Sequence, residues 1–158
     1  MWRYKSSDYN NVSLHDNSFE EINFSGSDVI LVFNEGFDIL SSHPLNDTGK
    51  SKHTTKSQII LSNSAFLNGV VHLSKLQSSH ALKFDEIMSL FSTSFKFNVL
   101  AFSFVADSDD TTLVLDGCLS CSAMNYNSEF SEISFSCKNY SFCWNEFCED
   151  AWFENWPG

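Results

Sequence analysis

The segment SFKFNVLAFSFVA, residues 94–106, alternates apolar with polar or small side chains over much of its length. Successive side chains of a β-strand point to opposite faces of a sheet, so a period of two favours a strand over a helix. Phe95 and Phe97 share one face in the first half, whereas Phe102 and Phe104 occupy the other face in the second half. This change of face predicts either a strand that is buried on both sides or a β-bulge.

Similar apolar segments recur along the chain, separated by short polar turns. Three of them, joined by SGSD and NEG, predict a meander of hairpins because glycine permits the positive φ angles of tight turns: 19–24, 29–33 and 37–40. Two segments on either side of NSA predict a further hairpin, 58–62 and 66–73, and three later segments predict additional strands, 111–124, 133–137 and 140–144.

One segment, ALKFDEIMSLF at residues 81–91, has apolar residues at helical spacing and predicts a single short helix. The fold class predicted is mainly β, α+β at most: an antiparallel β-sandwich or partly open barrel of about eight to ten strands with this one helix. The length of 158 residues predicts one domain over residues 1–158.

The charge balance is strongly acidic, with nine basic and twenty acidic residues and a formal net charge of −11. A negative field repels nucleic acid and anionic lipid and attracts cationic partners, so we expect no binding to nucleic acid or membranes. The alternative is that the charge only keeps the protein soluble. The sequence has no apolar run of about 18 residues and no apolar core near its N-terminus, which predicts a cytoplasmic protein.

The residues that could be catalytic or bind a metal are better explained by structural roles. His15 and Asp16 are adjacent in sequence, where an imidazole and a carboxylate rarely orient each other, so a turn is the preferred interpretation. Cys118 and Cys121 form a CxxC pair, but the sequence has no second pair to complete a zinc site, and in one strand the two would lie on opposite faces. The odd number of cysteines favours reduced thiols, and we predict no catalytic residue, metal site or cofactor.

Residues 41–57, SSHPLNDTGKSKHTTKS, interrupt the strand pattern with almost no large apolar residue. This composition predicts an exposed loop or long hairpin tip. The segment also carries Lys50, Lys52 and Lys56, which would form a local cationic projection on an acidic protein. The alternative is a merely solvated, mobile loop.

The C-terminal residues 144–156, WNEFCEDAWFENW, combine tryptophan with carboxylates and contain no basic residue. Tryptophan supplies contact area and carboxylates pair with Lys or Arg, so this composition is typical of a surface that binds a cationic protein. The predicted partner-binding residues are Trp144, Glu146, Glu149, Asp150, Trp152, Glu154 and Trp156. The structural alternative is a short closing helical turn with its acidic residues merely solvated.

Four short motifs resemble those of a group of small acidic bacterial proteins: LHD at 14–16, FNEGF at 33–37, YSFCWNE at 140–146 and AW at 151–152. The resemblance implies a β-rich domain with no established enzyme activity. Proteins of this kind are sometimes regarded as immunity proteins of contact-dependent or polymorphic toxin systems. The implied partner is a cationic protein such as a toxin domain, whose positive charge an acidic inhibitor can meet.

Two other functions remain open at this stage. The first is an enzyme or small-molecule carrier in which the fold gathers His15, Asp16 and His72 at one opening. The second is a structural module that associates with itself through an exposed strand edge. Binding of a cationic protein is preferred over both because the sequence carries no catalytic motif and is strongly negative.

Overall fold

The computed structural model describes residues 1–157 and contains mainly β-structure with one α-helix. The strands in chain order are β1 (Tyr4–Ser6), β2 (Val12–Ser13), β3 (Ser18–Phe19), β4 (Glu21–Ser25), β5 (Asp28–Phe33), β6 (Asp38–Ile39), β7 (Lys52–Thr54), β8 (Ser57–Ser62), β9 (Ala65–Leu73), β10 (Ser78–Ala81), β11 (Lys96–Ala106), β12 (Thr111–Cys121), β13 (Tyr126–Cys137), β14 (Asn139–Trp144) and β15 (Phe147–Asp150). The helix, α1, spans Phe84–Phe91. Within residues 1–157, no helix has the length and apolar character needed to cross a bilayer.

The strands form three antiparallel sheets. The first sheet has the order β1-β14-β8-β5-β4, the second β10-β9-β13-β12-β11-β3 and the third β15-β7-β6-β2. Phenylalanine rings join the two larger sheets: Phe19 packs edge-on against Phe33 at 5.7 Å between ring centroids, and Phe104 packs against Phe142 at 6.1 Å. The predicted all-β, sandwich-type fold is therefore confirmed.

The predicted irregularity in residues 94–106 is a β-bulge in β11. The register with β12 shifts between Val99 and Ala101, which moves the inward-facing positions from Phe97 and Val99 to Phe102 and Phe104. Gly117 lies opposite Val99, where an added Cβ would collide with the carbonyl oxygen of Asn98. The bulge lets one strand of eleven residues keep a phenylalanine face toward the core along its whole length.

The predicted meander is wrong in part, and the predicted hairpin of residues 58–62 and 66–73 is wrong. The segments 19–24 and 29–33 do pair, as β4 and β5, but β6 leaves the meander and joins the third sheet. The segments 58–62 and 66–73 do not pair at all, because β8 lies in the first sheet and β9 in the second.

The connection between β8 and β9 explains this separation. Asn63 takes a left-handed backbone conformation (φ 49°), and the N–H of Ser64 donates to the carbonyl of Ser27 at 2.8 Å. These contacts bind the connection to the β4–β5 turn and direct the chain across to the other sheet. A long-range contact thus replaces the local hairpin.

The helix begins three residues later than predicted, because residues 78–81 pair with β9 as strand β10. Its first turn is capped by Glu86, whose carboxylate accepts the N–H of Lys83 at 3.2 Å. Glu86 also accepts a hydrogen bond from His80 at 2.7 Å, and this contact lowers the pKa of the carboxyl group. The buried side chains of Ile87 and Leu90 fasten the helix to the core.

Candidate functional site: the C-terminal acidic and aromatic surface

The third sheet positions the C-terminal segment. β15 is an edge strand paired with β7, and the N–H of buried Ala151 donates to the carbonyl of Ser51 at 2.9 Å. Two consecutive turns follow, closed by the N–H of Glu154 to Ala151 and the N–H of Trp156 to Phe153. The predicted alternative of a closing helical turn is wrong, since residues 147–150 are extended.

Two tryptophans project from these turns. Trp152 is 49% exposed and Trp156 is 68% exposed, and their rings meet at right angles with centroids 5.7 Å apart. The imidazole of His15 lies 6.1 Å from the Trp152 ring, so the β2–β3 turn borders the same aromatic group. Aromatic side chains this exposed contribute little to folding and are typical of contact surfaces.

Exposed carboxylates precede the tryptophans in the sequence and occur in the adjoining β2–β3 turn. Glu146 and Glu149 are exposed, and no Lys or Arg of residues 1–157 forms an ion pair with either. Asp16 follows His15 in the neighbouring turn with about half of its side chain exposed (52%). We call Asp16, Glu146, Glu149, Trp152 and Trp156 the C-terminal acidic surface.

Trp144 does not belong to this surface, contrary to the sequence prediction. Its side chain is 0% exposed and stacks on Tyr4 at 5.3 Å, with His43 edge-on at 5.5 Å. β14 lies between β1 and β8, and Trp144 is two residues beyond the core residue Phe142, so it faces the same side. The alternation in residues 140–144 already carried this signal.

Asp150 and Glu154 are also less available than predicted. Asp150 accepts hydrogen bonds from Lys52 at 2.6 Å and Lys50 at 3.1 Å, and these contacts lower the pKa of its carboxyl group. Glu154 accepts the backbone N–H of Ser51 at 2.7 Å. Both carboxylates therefore hold the 41–57 segment in place, and we remove them from the predicted contact residues.

Residues 41–51 form the tip of the β6–β7 hairpin and residues 52–54 are strand β7, so the 41–57 segment is not simply an exposed loop. Asn46 is buried and its amide donates to the carbonyls of Ile39, Leu40 and Lys50 at 2.8–3.2 Å. The N–H of Leu45 donates to Nδ1 of buried His43, so Nε2 carries the proton and donates to Ser6. The polar composition of the segment did not predict this burial. Asn46 and His43 can be buried because backbone groups replace the water that would otherwise hydrogen-bond them.

A buried ion pair beneath this region was missed by the sequence analysis. His53 donates from Nδ1 to Asp38 and from Nε2 to the carbonyl of Glu35, each at 2.7 Å, while the amide of Asn17 donates to the other oxygen of Asp38 at 2.9 Å. Both partners of the ring are acceptors, so His53 is an imidazolium. The Asp38 hydrogen bond, above all, raises the pKa of His53, with the Glu149 charge adding to it. The side chain of Asp38 is 0% exposed.

This pair predicts a pH-dependent stability. A histidine whose pKa is raised on folding stabilises the protein fully below its unfolded pKa of about 6.5 and loses that contribution as pH rises through the folded value. The free energy of unfolding, measured by urea denaturation, should therefore fall in the wild type as the pH rises above about 6.5. In His53→Gln it should be lower at pH 6.5 and nearly constant over the same range.

His43 supplies an internal control, because burial lowers its pKa. Its contribution to the free energy of unfolding therefore changes below pH 6.5, where it falls as the pH falls, opposite to that of His53. Acidification should thus destabilise the protein through His43 while His53 still contributes in full. Equal slopes for wild type and His53→Gln above pH 6.5 would contradict the assignment of an imidazolium to His53.

The remaining candidates have structural positions. His15 and Asp16 form the predicted turn: Asp16 is left-handed (φ 62°), and His15 Nδ1 donates to the carbonyl of Leu100 at the bulge, 2.8 Å away. Cys121 is buried in β12 whereas Cys118 lies on the opposite face, as predicted. No group of three metal-ligating side chains occurs within the described residues.

Comparisons with known proteins give no relative for this chain: no family model, no curated protein and no solved structure matches it.

Proposed function

We propose that this protein binds a cationic protein through the C-terminal acidic surface, and that it acts in the cytoplasm as an immunity-type inhibitor. The observation that carries the proposal is the exposed Trp152–Trp156 pair, in a C-terminal segment whose exposed Glu146 and Glu149 form no ion pair with a Lys or Arg of the described chain. Tryptophan is among the residues most enriched at the energetic centre of protein interfaces.

The charge of the whole chain supports the same partner. A net charge of −11 steers positively charged proteins toward the surface and accelerates encounter, and the exposed carboxylates of Glu146 and Glu149 would pair with Lys or Arg of the partner. Toxins that act on nucleic acid carry such positive surfaces because they bind phosphate. An inhibitor that covers a surface of that kind blocks the substrate directly.

Affinity capture from the source cells tests the proposal. The tagged wild-type chain should retain a basic protein at low salt and release it at high salt, since the rim contacts are electrostatic. The retained protein should inhibit growth when expressed alone, and co-expression of this chain should restore growth. Retention of only neutral or acidic proteins would contradict cationic recognition, and a harmless basic partner would contradict the immunity role.

Variants then locate the contact on the purified pair. Trp152→Ala should weaken binding roughly thirtyfold by calorimetry, as for a tryptophan at an interface centre. Glu149→Lys should slow association and reduce its salt dependence. Glu132→Lys is the matched control, because it reverses the same charge at an exposed position of the second sheet. If Glu132→Lys has the same effect as Glu149→Lys, only net charge matters and the proposed surface is wrong.

A further inference from the structure

A cleft of about 530 Å³ lies at one end of the second sheet, on a different sheet from the C-terminal acidic surface. The β9–β10 hairpin and the first residues of β13 form its walls. The hairpin closes through a 3₁₀ turn, Ser74–Leu76, and ends in Gln77, a left-handed residue at φ 49°. A volume of this size is typical of small-molecule sites.

Glu129 supplies the most unusual group in the cleft. The residue is only 7% exposed, and one carboxylate oxygen, Oε2, accepts both the N–H and the hydroxyl of Ser74, at 3.1 and 3.0 Å. The other oxygen has no hydrogen-bond donor among residues 1–157. Because this oxygen keeps some contact with solvent, a ligand hydroxyl can take the place of the water that solvates it.

His72 and Phe130 form the outer wall. The rings stack with centroids 5.5 Å apart, and Nδ1 of His72 hydrogen-bonds the hydroxyl of Ser79 at 2.6 Å. These two contacts set the orientation of the imidazole, and Nε2 has no hydrogen-bond partner among residues 1–157. Phe130 remains 46% exposed, which leaves much of its ring available to a ligand.

The residues that line the cleft favour a ligand without negative charge. Apart from Glu129 and His72, its polar groups are serine hydroxyls and the amide of Gln77, which can donate or accept hydrogen bonds as required. Within the described residues, no Lys or Arg lines the cleft, although Lys75 lines a neighbouring cavity that Glu129 also borders. Anionic ligands would meet an uncompensated carboxylate and are therefore disfavoured.

We propose that this cleft binds a neutral saccharide. A sugar hydroxyl donates to the open oxygen of Glu129, a second bonds Nε2 of His72, and the apolar C–H face of the ring packs on Phe130. Such a ligand hydrogen-bonds the carboxylate in place of water without adding charge, and its other hydroxyls can pair with the serine hydroxyls and the Gln77 amide, which can both donate and accept.

Calorimetric titration of the full chain tests this inference. The probes are glucose, galactose, N-acetylglucosamine, maltose and cellobiose at up to about 20 mM, which covers millimolar affinities. Spermidine is the cationic comparison, because a polyamine would also satisfy a carboxylate. At least one sugar should bind, and Phe130→Ala should weaken it about tenfold.

Two further variants make the result specific. Phe24→Ala is the matched control, since Phe24 is also 46% exposed but lies on β4 of the first sheet, and it should bind sugar as the wild type does. Glu129→Gln should weaken binding while circular dichroism reports a native fold. The inference is overturned if no sugar binds, if spermidine binds in place of sugar, or if Phe130→Ala and Phe24→Ala bind equally well.

Discussion

Trp144→Ala is expected to lower the free energy of unfolding by about 3–5 kcal/mol, the cost of removing a large buried aromatic side chain. The side chain is fully buried and contacts Tyr4, His43 and Phe147, so its loss leaves a cavity where the first sheet meets the 41–57 segment. Urea denaturation followed by circular dichroism measures the change.

Trp156→Ala is the matched control, because it removes the same side chain from a largely exposed position. Its effect on unfolding should stay within about 0.5 kcal/mol, as for ordinary surface substitutions. Trp144→Phe should recover part of the loss, since the indole N–H is buried with no hydrogen-bond partner in the described chain. Equal stability of Trp144→Ala and Trp156→Ala would restore Trp144 to the contact surface.

Gly36→Ala is expected to be the second severe substitution. Gly36 has φ +91°, and an added Cβ would overlap the carbonyl oxygen of Thr54 and approach its Oγ1 to 2.7 Å. Thr54 cannot move freely, because its hydroxyl accepts the N–H of Phe37 and its own N–H donates to the Phe37 carbonyl. We expect a loss of about 2–5 kcal/mol, the sum of left-handed strain and overpacking.

Gly26→Ala separates these two causes. Gly26 also has a positive φ of +62°, but nothing lies within 4 Å of the position that a Cβ would occupy. It should cost only the strain of about 1–2 kcal/mol. The difference between the two variants, measured under the same denaturation conditions, reports the collision with Thr54. No difference would show that the β6–β7 hairpin yields more easily than its hydrogen bonds indicate.

Local sequence signals located most strands but not their partners. The period of two in residues 94–106 predicted β11 and left burial on both faces or a bulge as alternatives, because face alternation is set by backbone geometry within one strand; the structure has the bulge. The same signal on β8 and β9 predicted a hairpin that does not exist. Pairing depends on which apolar faces meet across the core, and a contact such as Ser64 to Ser27 has no counterpart in local pattern.

The candidate site shows the same division. Composition drew attention to residues 144–156, where acidic and aromatic residues concentrate, and the structure shows Trp152 and Trp156 to be exposed. It did not distinguish them from Trp144, although the alternation after Phe142 contained that information. It also did not predict that Asp150 would bind Lys50 and Lys52, about a hundred residues away in sequence.

The amino-acid pattern established the β-rich class, the acidic character and the location of the helix, all of which follow from side-chain periodicity and charge, properties of neighbouring residues. Folding in three dimensions assigned the strands to their sheets, enclosed Trp144, formed the His53–Asp38 ion pair and opened the cleft around Glu129. These features join residues far apart in the chain. Their energies come from burial and hydrogen bonds that exist only once distant segments are packed together.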